Sequence, residues 1–150
     1  MVPKRIRTLR ILVMVTLALL LLQYEFGMAV NLSALPTLAP FGLSLGAVSS
    51  ALNQAGVAAV IHASLGAWLA LFALADLILA LASRVRSVQV FGALAFVAVL
   101  LAAYCGLYFV LSGYQNDGLS HGMATNFLLS FIFYFLELYF LKPAPKTGTA

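Results

Sequence analysis

The chain has 150 residues, of which 64% are hydrophobic and 8% charged, and its mean hydropathy is +1.09. Soluble domains carry about 25% charged residues, so this composition excludes a soluble globular domain and predicts an integral membrane protein. The single cysteine, Cys105, excludes an internal disulfide. The sequence contains no Ser-His-Asp spacing, Cys/His metal cluster or phosphate-binding glycine loop, so it leaves open whether the protein is an enzyme.

Four apolar runs are long enough to cross a bilayer, which takes about 20 residues. They predict helices at about 9–30, 56–83, 88–111 and 122–141, followed by a disordered tail at 142–150. The expected fold class is all-α: a single transmembrane domain built as a four-helix up-down bundle.

The chain has a net charge of +4, and its basic residues lie in three places: before the first run, between the second and third, and after the fourth. With four spans these places share one side of the membrane, and the positive-inside rule makes that side the cytoplasm. The basic residues are Lys4, Arg5, Arg7, Arg10, Arg84, Arg86, Lys142 and Lys146. We therefore expect a multi-pass protein of the cell membrane with both termini cytoplasmic, in contact with lipid and not with nucleic acid.

The connection between the first two predicted helices is an outer segment of about 25 residues that contains Pro36 and Pro40. Loops of that length without secondary structure are uncommon and are often lids or binding segments. The other interpretation is a partly helical connection that rests on the bundle.

The second helix carries two ionisable residues, His62 near its outer end and Asp76 near its inner end. Ionisable groups inside a span are costly and are candidates for a functional site. Gly66 lies one turn from His62 and leaves space in front of the imidazole.

Polar residues fall into two layers by depth. The outer layer draws on all four helices and consists of Gln23, Glu25, Asn31, His62, Tyr104, Tyr108, His121 and Asn126. The inner layer contains Asp76 and Glu137, which are expected to reach the interface or to pair with Arg84, Arg86 or Lys142.

Three uses of His62 are open. A hydrogen-bonded pair with Glu25, at equal depth in the first helix, would hold a proton or fix the helix order. Two imidazoles, His62 and His121, would make a haem b site, although His121 lies shallower, in a loop or first turn. A quinone site would use a hydrogen-bonding His62 or Glu25 with aromatic walls from Tyr104 and Tyr108.

Three segments also resemble a family of small, poorly characterised four-helix membrane proteins of bacteria and archaea. The segments are LLLLQYEFGMAVNL, HASLG and GLYFVLSGYQNDGLSHGMATNF, which fit the pattern Q-x3-GM-x-VNL, then H-x2-LG, then G-x2-F with a serine and methionine opening the last helix. The matching residues are Gln23, Gly27, Met28, Asn31, His62, Gly66, Gly106, Phe109, Ser120 and Met123. Glu25 and His121 are not part of the pattern. The resemblance implies an outward-facing polar site that includes Gln23, Asn31, His62 and Ser120.

The leading functional hypothesis is an outward-facing pocket around His62 that binds a small molecule or cofactor, with haem b or a quinone as its most concrete form. The candidate binding residues are His62, His121, Glu25, Tyr108, Asn31, Gln23 and Asn126, and His62 with His121 would be the metal ligands if haem is bound. The alternative is a non-catalytic accessory or assembly subunit, in a homo-oligomer or a larger membrane complex. A transport or proton-relay role is the third hypothesis.

Overall fold

The computed structural model describes residues 4–33 and 44–141. In that part of the chain the structure is all-α and contains no strand, so the prediction of an all-α fold is confirmed. The helices are α1 (Lys4–Ser33), α2 (Leu45–Ala55), α3 (Val57–Leu81), α4 (Arg86–Leu111) and α5 (Asp117–Phe140). Four of them, α1, α3, α4 and α5, are long and apolar enough to cross a membrane. The tail predicted to be disordered, 142–150, lies outside the described residues.

The last helix begins five residues before its predicted start at 122. Asn116 caps it, because its side chain accepts a hydrogen bond of 3.2 Å from the backbone N–H of Leu119. Asp117 in the first turn adds a negative charge at the positive end of the helix. His121 therefore lies in the second turn of α5 and not in a loop.

The four long helices pack in a ring in the order α1, α3, α4, α5, with α1 also contacting α5. Their inward faces form one apolar core, in which each helix contributes residues spaced three or four apart. The core residues include Leu9, Val13 and Leu20 from α1, Leu69, Ala73 and Ala80 from α3, and Val88, Ala95 and Val99 from α4. Exposed apolar side chains such as Trp68, Leu71, Ile78 and Phe135 cover the outward faces, as expected for contact with lipid.

The short helix α2 packs against α3 and α4. Ser44 caps its start by accepting a hydrogen bond from the N–H of Ala47, and Gly56, with φ +94°, turns the chain into α3. Tyr114 donates a hydrogen bond of 3.5 Å to the carbonyl of Ala51. The described part of the long connection is thus helical and rests on the bundle, whereas Pro36 and Pro40 lie outside the described residues.

Candidate functional site

His62 forms a two-point contact with Gln23 across the α1–α3 interface. Its Nδ1 lies 3.1 Å from the Gln23 backbone oxygen, and its Nε2 lies 3.2 Å from the Gln23 side-chain Nε2. A neutral imidazole with its proton on Nδ1 satisfies both bonds, because it donates to the carbonyl and accepts from the amide. Both ring nitrogens are then engaged by one residue of the neighbouring helix.

Two glycines make room for this contact. A Cβ at Gly27 would lie 2.9 Å from His62 Cε1, and a Cβ at Gly66 would lie 3.2 Å from Gln23 Nε2. Each glycine is one helical turn from the polar residue on its own helix, so the pairs Gln23/Gly27 and His62/Gly66 fit each other. This gives a physical reason for the Q-x3-G and H-x3-G spacings in the sequence.

The other predicted binding residues take different positions. Glu25, Asn31 and His121 are exposed. The Asn126 amide donates a hydrogen bond of 2.8 Å to the Gly122 carbonyl of its own helix, and the half-buried Tyr108 ring lies 4.6 Å, centroid to centroid, from the ring of exposed Tyr104. The proposed Glu25–His62 pair is not formed, since Gln23 is the partner of His62.

A cofactor at these residues stays a prediction. Ligation of haem iron by His62 Nε2 would require the Gln23 amide to leave the ring, and His121 points to the exterior of the bundle as an exposed residue of α5. In the described ranges, no three His, Cys, Asp or Glu side chains lie together as metal ligands. The arrangement that the structure does provide at His62 is a helix-to-helix contact.

A second set of buried polar residues includes Asp76, which lies near the C-terminal end of α3. Asp76 and Glu137 are each 0% exposed, as are Tyr134, Thr16 and Ser130. Because both acids are fully buried, the expectation that they reach the interface is wrong. The expected pairing with Arg84 or Arg86 is also wrong, since these two residues are exposed and the carboxyl oxygens have no partner among the described residues. Lys142 lies outside the described residues.

The two acids occupy core positions of their helices. In α3 the buried residues Leu69, Ala73, Asp76 and Ala80 follow a spacing of four, three and four. In α5 the same spacing runs through Ser130, Tyr134, Glu137 and Leu141. Because residues at this spacing share one helix face, both carboxyl groups are directed into the bundle with the apolar core.

Gly92 of α4 brings these helices close together. A Cβ at Gly92 would lie 2.8 Å from the Ala80 Cβ and 3.2 and 3.3 Å from the two carboxyl oxygens of Glu137. Ala80 lies one turn after Asp76 on the buried face of α3, and Tyr134 lies one turn before Glu137 on the buried face of α5. We call Asp76, Tyr134 and Glu137 the acidic centre.

The oxygens of the acidic centre are buried and unpaired. Among the described residues, neither carboxyl oxygen of Asp76 or of Glu137 has a hydrogen-bond partner, and the same holds for the Tyr134 hydroxyl and Thr16 Oγ1. A buried polar group without a partner costs about 1–3 kcal/mol, and an unpaired charge costs more. Such a cluster works against stability, which is typical of a site that is kept for its chemistry.

Comparison of the chain with protein-family models, with curated proteins and with solved structures gives no match. The resemblance to the small four-helix membrane proteins therefore stays a prediction. The contacts of the described residues carry the functional argument.

The Gln23–His62 contact predicts a coupled loss of stability. We expect Gln23→Ala and His62→Ala each to lower the free energy of unfolding, and the double variant to lose less than the sum by about 1 kcal/mol, as for hydrogen bonds between membrane helices. Reversible unfolding in mild detergent measures this double-mutant cycle. The matched control is Ser64→Ala, because exposed Ser64 donates to the Val60 carbonyl of its own helix. Additive losses from the two substitutions would show that the two residues are not coupled.

Proposed function

We propose that this chain is a four-pass protein of the cell membrane with up-down topology and both termini in the cytoplasm. Basic residues support this orientation, since the described ones lie at the start of α1 and in the α3–α4 connection and are exposed. The acidic centre lies near the end of α3 and the beginning of α4. In this topology it belongs to the cytoplasmic half of the membrane.

We further propose that the protein takes up and passes a proton or a small monovalent cation at the acidic centre. The observation that carries this proposal is the presence of two fully buried carboxyl groups, with no hydrogen-bond partner among the described residues, on the inward faces of two helices that both meet α4 at Gly92. Carboxyl groups inside membrane bundles are rare and line ion and proton pathways. A packing role would be served better by apolar residues, which carry no desolvation cost.

The test is cation flux into liposomes that contain the purified full chain. A potassium gradient with valinomycin sets the membrane potential, and separate dyes in the lumen report protons and sodium. Potassium is tested in separate liposomes without valinomycin, in which a dye in the lumen reports potassium. We expect a flux of one of these cations that falls to the level of protein-free liposomes in Asp76→Asn and Glu137→Gln.

The control for the flux is Asp117→Asn, which removes an exposed acid in the first turn of α5 and is expected to leave the flux unchanged. Circular dichroism of each variant establishes that it is folded. A flux that persists in folded Asp76→Asn and Glu137→Gln, or no flux of any of the three cations, would overturn the proposal.

The accessory or assembly role is the second candidate, and the Gln23–His62 contact favours it for the other end of the bundle. Because both ring nitrogens of His62 are engaged by Gln23, the contact supports a packing role for this polar layer. The small-molecule site, with haem b or a quinone, stays the sequence prediction for the same residues. A Soret band in the purified protein that is lost in His62→Ala would favour haem, whereas a colourless protein that is less stable in His62→Ala would favour packing.

A further inference from the structure

The space around the acidic centre restricts what can bind there. The four carboxyl oxygens and the Tyr134 hydroxyl are all buried beyond contact with water. Glu137 lies directly against Gly92, so even one additional carbon at that position would meet its oxygens at 3.2 and 3.3 Å. Metal cations need several oxygen ligands and a volume of their own, at distances of about 2.0–2.6 Å for magnesium and calcium. A proton needs no volume.

The groups that face the acidic centre provide no positive charge. Gly92 of α4 lies against Glu137, and the buried polar or charged residues of the described chain, Thr16, Asp76, Ser130 and Glu137, include no basic residue. The basic residues in the described part of the chain are all exposed: Lys4, Arg5, Arg7, Arg10, Arg84 and Arg86. Two ionised carboxylates inside the same bundle would repel each other in a medium of low dielectric constant.

We infer that the species exchanged at the acidic centre is a proton, and that Asp76 and Glu137 are both neutral in the folded protein. This inference rests on the proposed function and names the cation that the site takes. Each exchange is a single acid–base step, in which one O–H bond of a carboxyl group breaks and a new O–H bond forms on a water molecule, giving a carboxylate and a hydronium ion with no change of oxidation state. The product is a carboxylate that must be stabilised within the bundle.

Tyr134 is the positioning residue for that carboxylate. Its hydroxyl is buried, has no hydrogen-bond partner among the described residues, and belongs to the residue one turn before Glu137 on the inward face of α5. A small rotation of the Tyr134 ring or of a carboxyl group would let the phenol O–H donate to the carboxyl group that has lost its proton. The unused donor therefore offers a hydrogen bond to the carboxylate that proton loss creates.

The test uses dicyclohexylcarbodiimide, which reacts with protonated carboxyl groups in apolar surroundings, on the full chain in liposomes with peptide mapping by mass spectrometry. We expect Asp76 and Glu137 to be labelled, exposed Asp117 to stay unlabelled, and labelling to fall as the pH rises. Saturating sodium, potassium or magnesium should give no protection. In Tyr134→Phe, labelling should persist to higher pH, because the carboxylate loses its hydrogen-bond donor.

The outcomes separate this inference from the proposed function. If a metal cation protected Asp76 and Glu137 from labelling, the inference that a proton is exchanged would be wrong, and the proposed cation-binding role would still hold. Carboxylate bands alone in the infrared spectrum of a folded protein that takes no label at any pH would show that the acids are ionised and would also overturn the inference, while the liposome flux tests the proposed function independently. An unchanged pH dependence in Tyr134→Phe would remove the tyrosine from the mechanism.

Discussion

Gly92→Val is expected to destabilise the bundle by about 3 kcal/mol, the upper part of the usual range for overpacking. The added Cβ would lie 2.8 Å from the Ala80 Cβ, a contact that a short side chain cannot avoid by rotating. The same Cβ would press on both carboxyl oxygens of Glu137. Helices α3 and α4 must therefore move apart, which loosens the packing of the acidic centre as well. Reversible unfolding in mild detergent measures the loss.

Gly46→Ala is the matched control for this prediction. Gly46 is also a helical glycine, but it is exposed, and its added Cβ would meet nothing closer than Ser44 Oγ at 4.0 Å. Because alanine is the better helix former, this variant should be unchanged or slightly more stable. Equal destabilisation by both substitutions would show that the close approach of α3, α4 and α5 at Gly92 does not stabilise the bundle.

Apolar replacement of the buried acids is expected to increase stability. Asp76→Leu and Glu137→Met keep approximately the size of each side chain and remove two buried oxygens that have no hydrogen-bond partner in the described residues. We expect each variant to gain about 1–3 kcal/mol in the free energy of unfolding, the cost of an unsatisfied buried polar group. The same variants should lose the cation flux. Stability and activity would then change in opposite directions, as is common at functional sites.

The sign of this change separates the two explanations of the acids. If the carboxyl groups held the helices together, removal of one would cost about 3–5 kcal/mol, as for a broken buried pair. The measurement is the unfolding free energy of each variant against Asp117→Asn, an exposed acid-to-amide change that should have little effect. A large loss of stability in Asp76→Leu and Glu137→Met would contradict the functional interpretation.

Apolar length predicted the four membrane helices, since about 20 consecutive apolar residues have few alternatives to a helix in lipid. The start of α5 was missed because Asn116, Asp117 and Gly118 are all typical of turns. In the structure Asn116 is a helix cap, and helix formation continues through Gly118. The same short polar residues are common in turns and at helix N-caps, so the sequence did not show whether residues 116–118 form a turn or begin a helix.

Glu25 was one candidate partner for His62, and the structure has Gln23 in that place for a rotational reason. Depth along a helix follows from residue counting, and it correctly brought His62 level with the part of α1 that contains Gln23 and Glu25. The face of the helix is a separate question: Glu25 lies two residues after Gln23 and therefore about 200° around the helix axis. Gln23 and Gly27 are on the face towards α3, and Glu25 is exposed.

Asp76 and Glu137 were expected at the membrane edge because that expectation used their positions along the helices and not the helix faces on which they lie. Asp76 lies near the end of its helix and a few residues before Arg84, which suggested a residue at the membrane edge. Its spacing of three and four residues from the buried Ala73 and Ala80 places it on the inward face, but α3 is apolar around most of its circumference, so the sequence did not mark that face. The sequence also does not show that Glu137 of α5 lies in the same core, because this depends on how the helices are arranged in the ring.

The central claim is that Asp76 and Glu137 hold protons inside the membrane bundle. Infrared difference spectroscopy of the full chain in liposomes, recorded as the pH is raised, measures this most directly through the C=O stretch of protonated carboxyl groups. The account predicts such an absorption at neutral pH that decreases in the alkaline range and loses one component in each of Asp76→Asn and Glu137→Gln. A spectrum with carboxylate bands alone at neutral pH, unchanged in both variants, would contradict it.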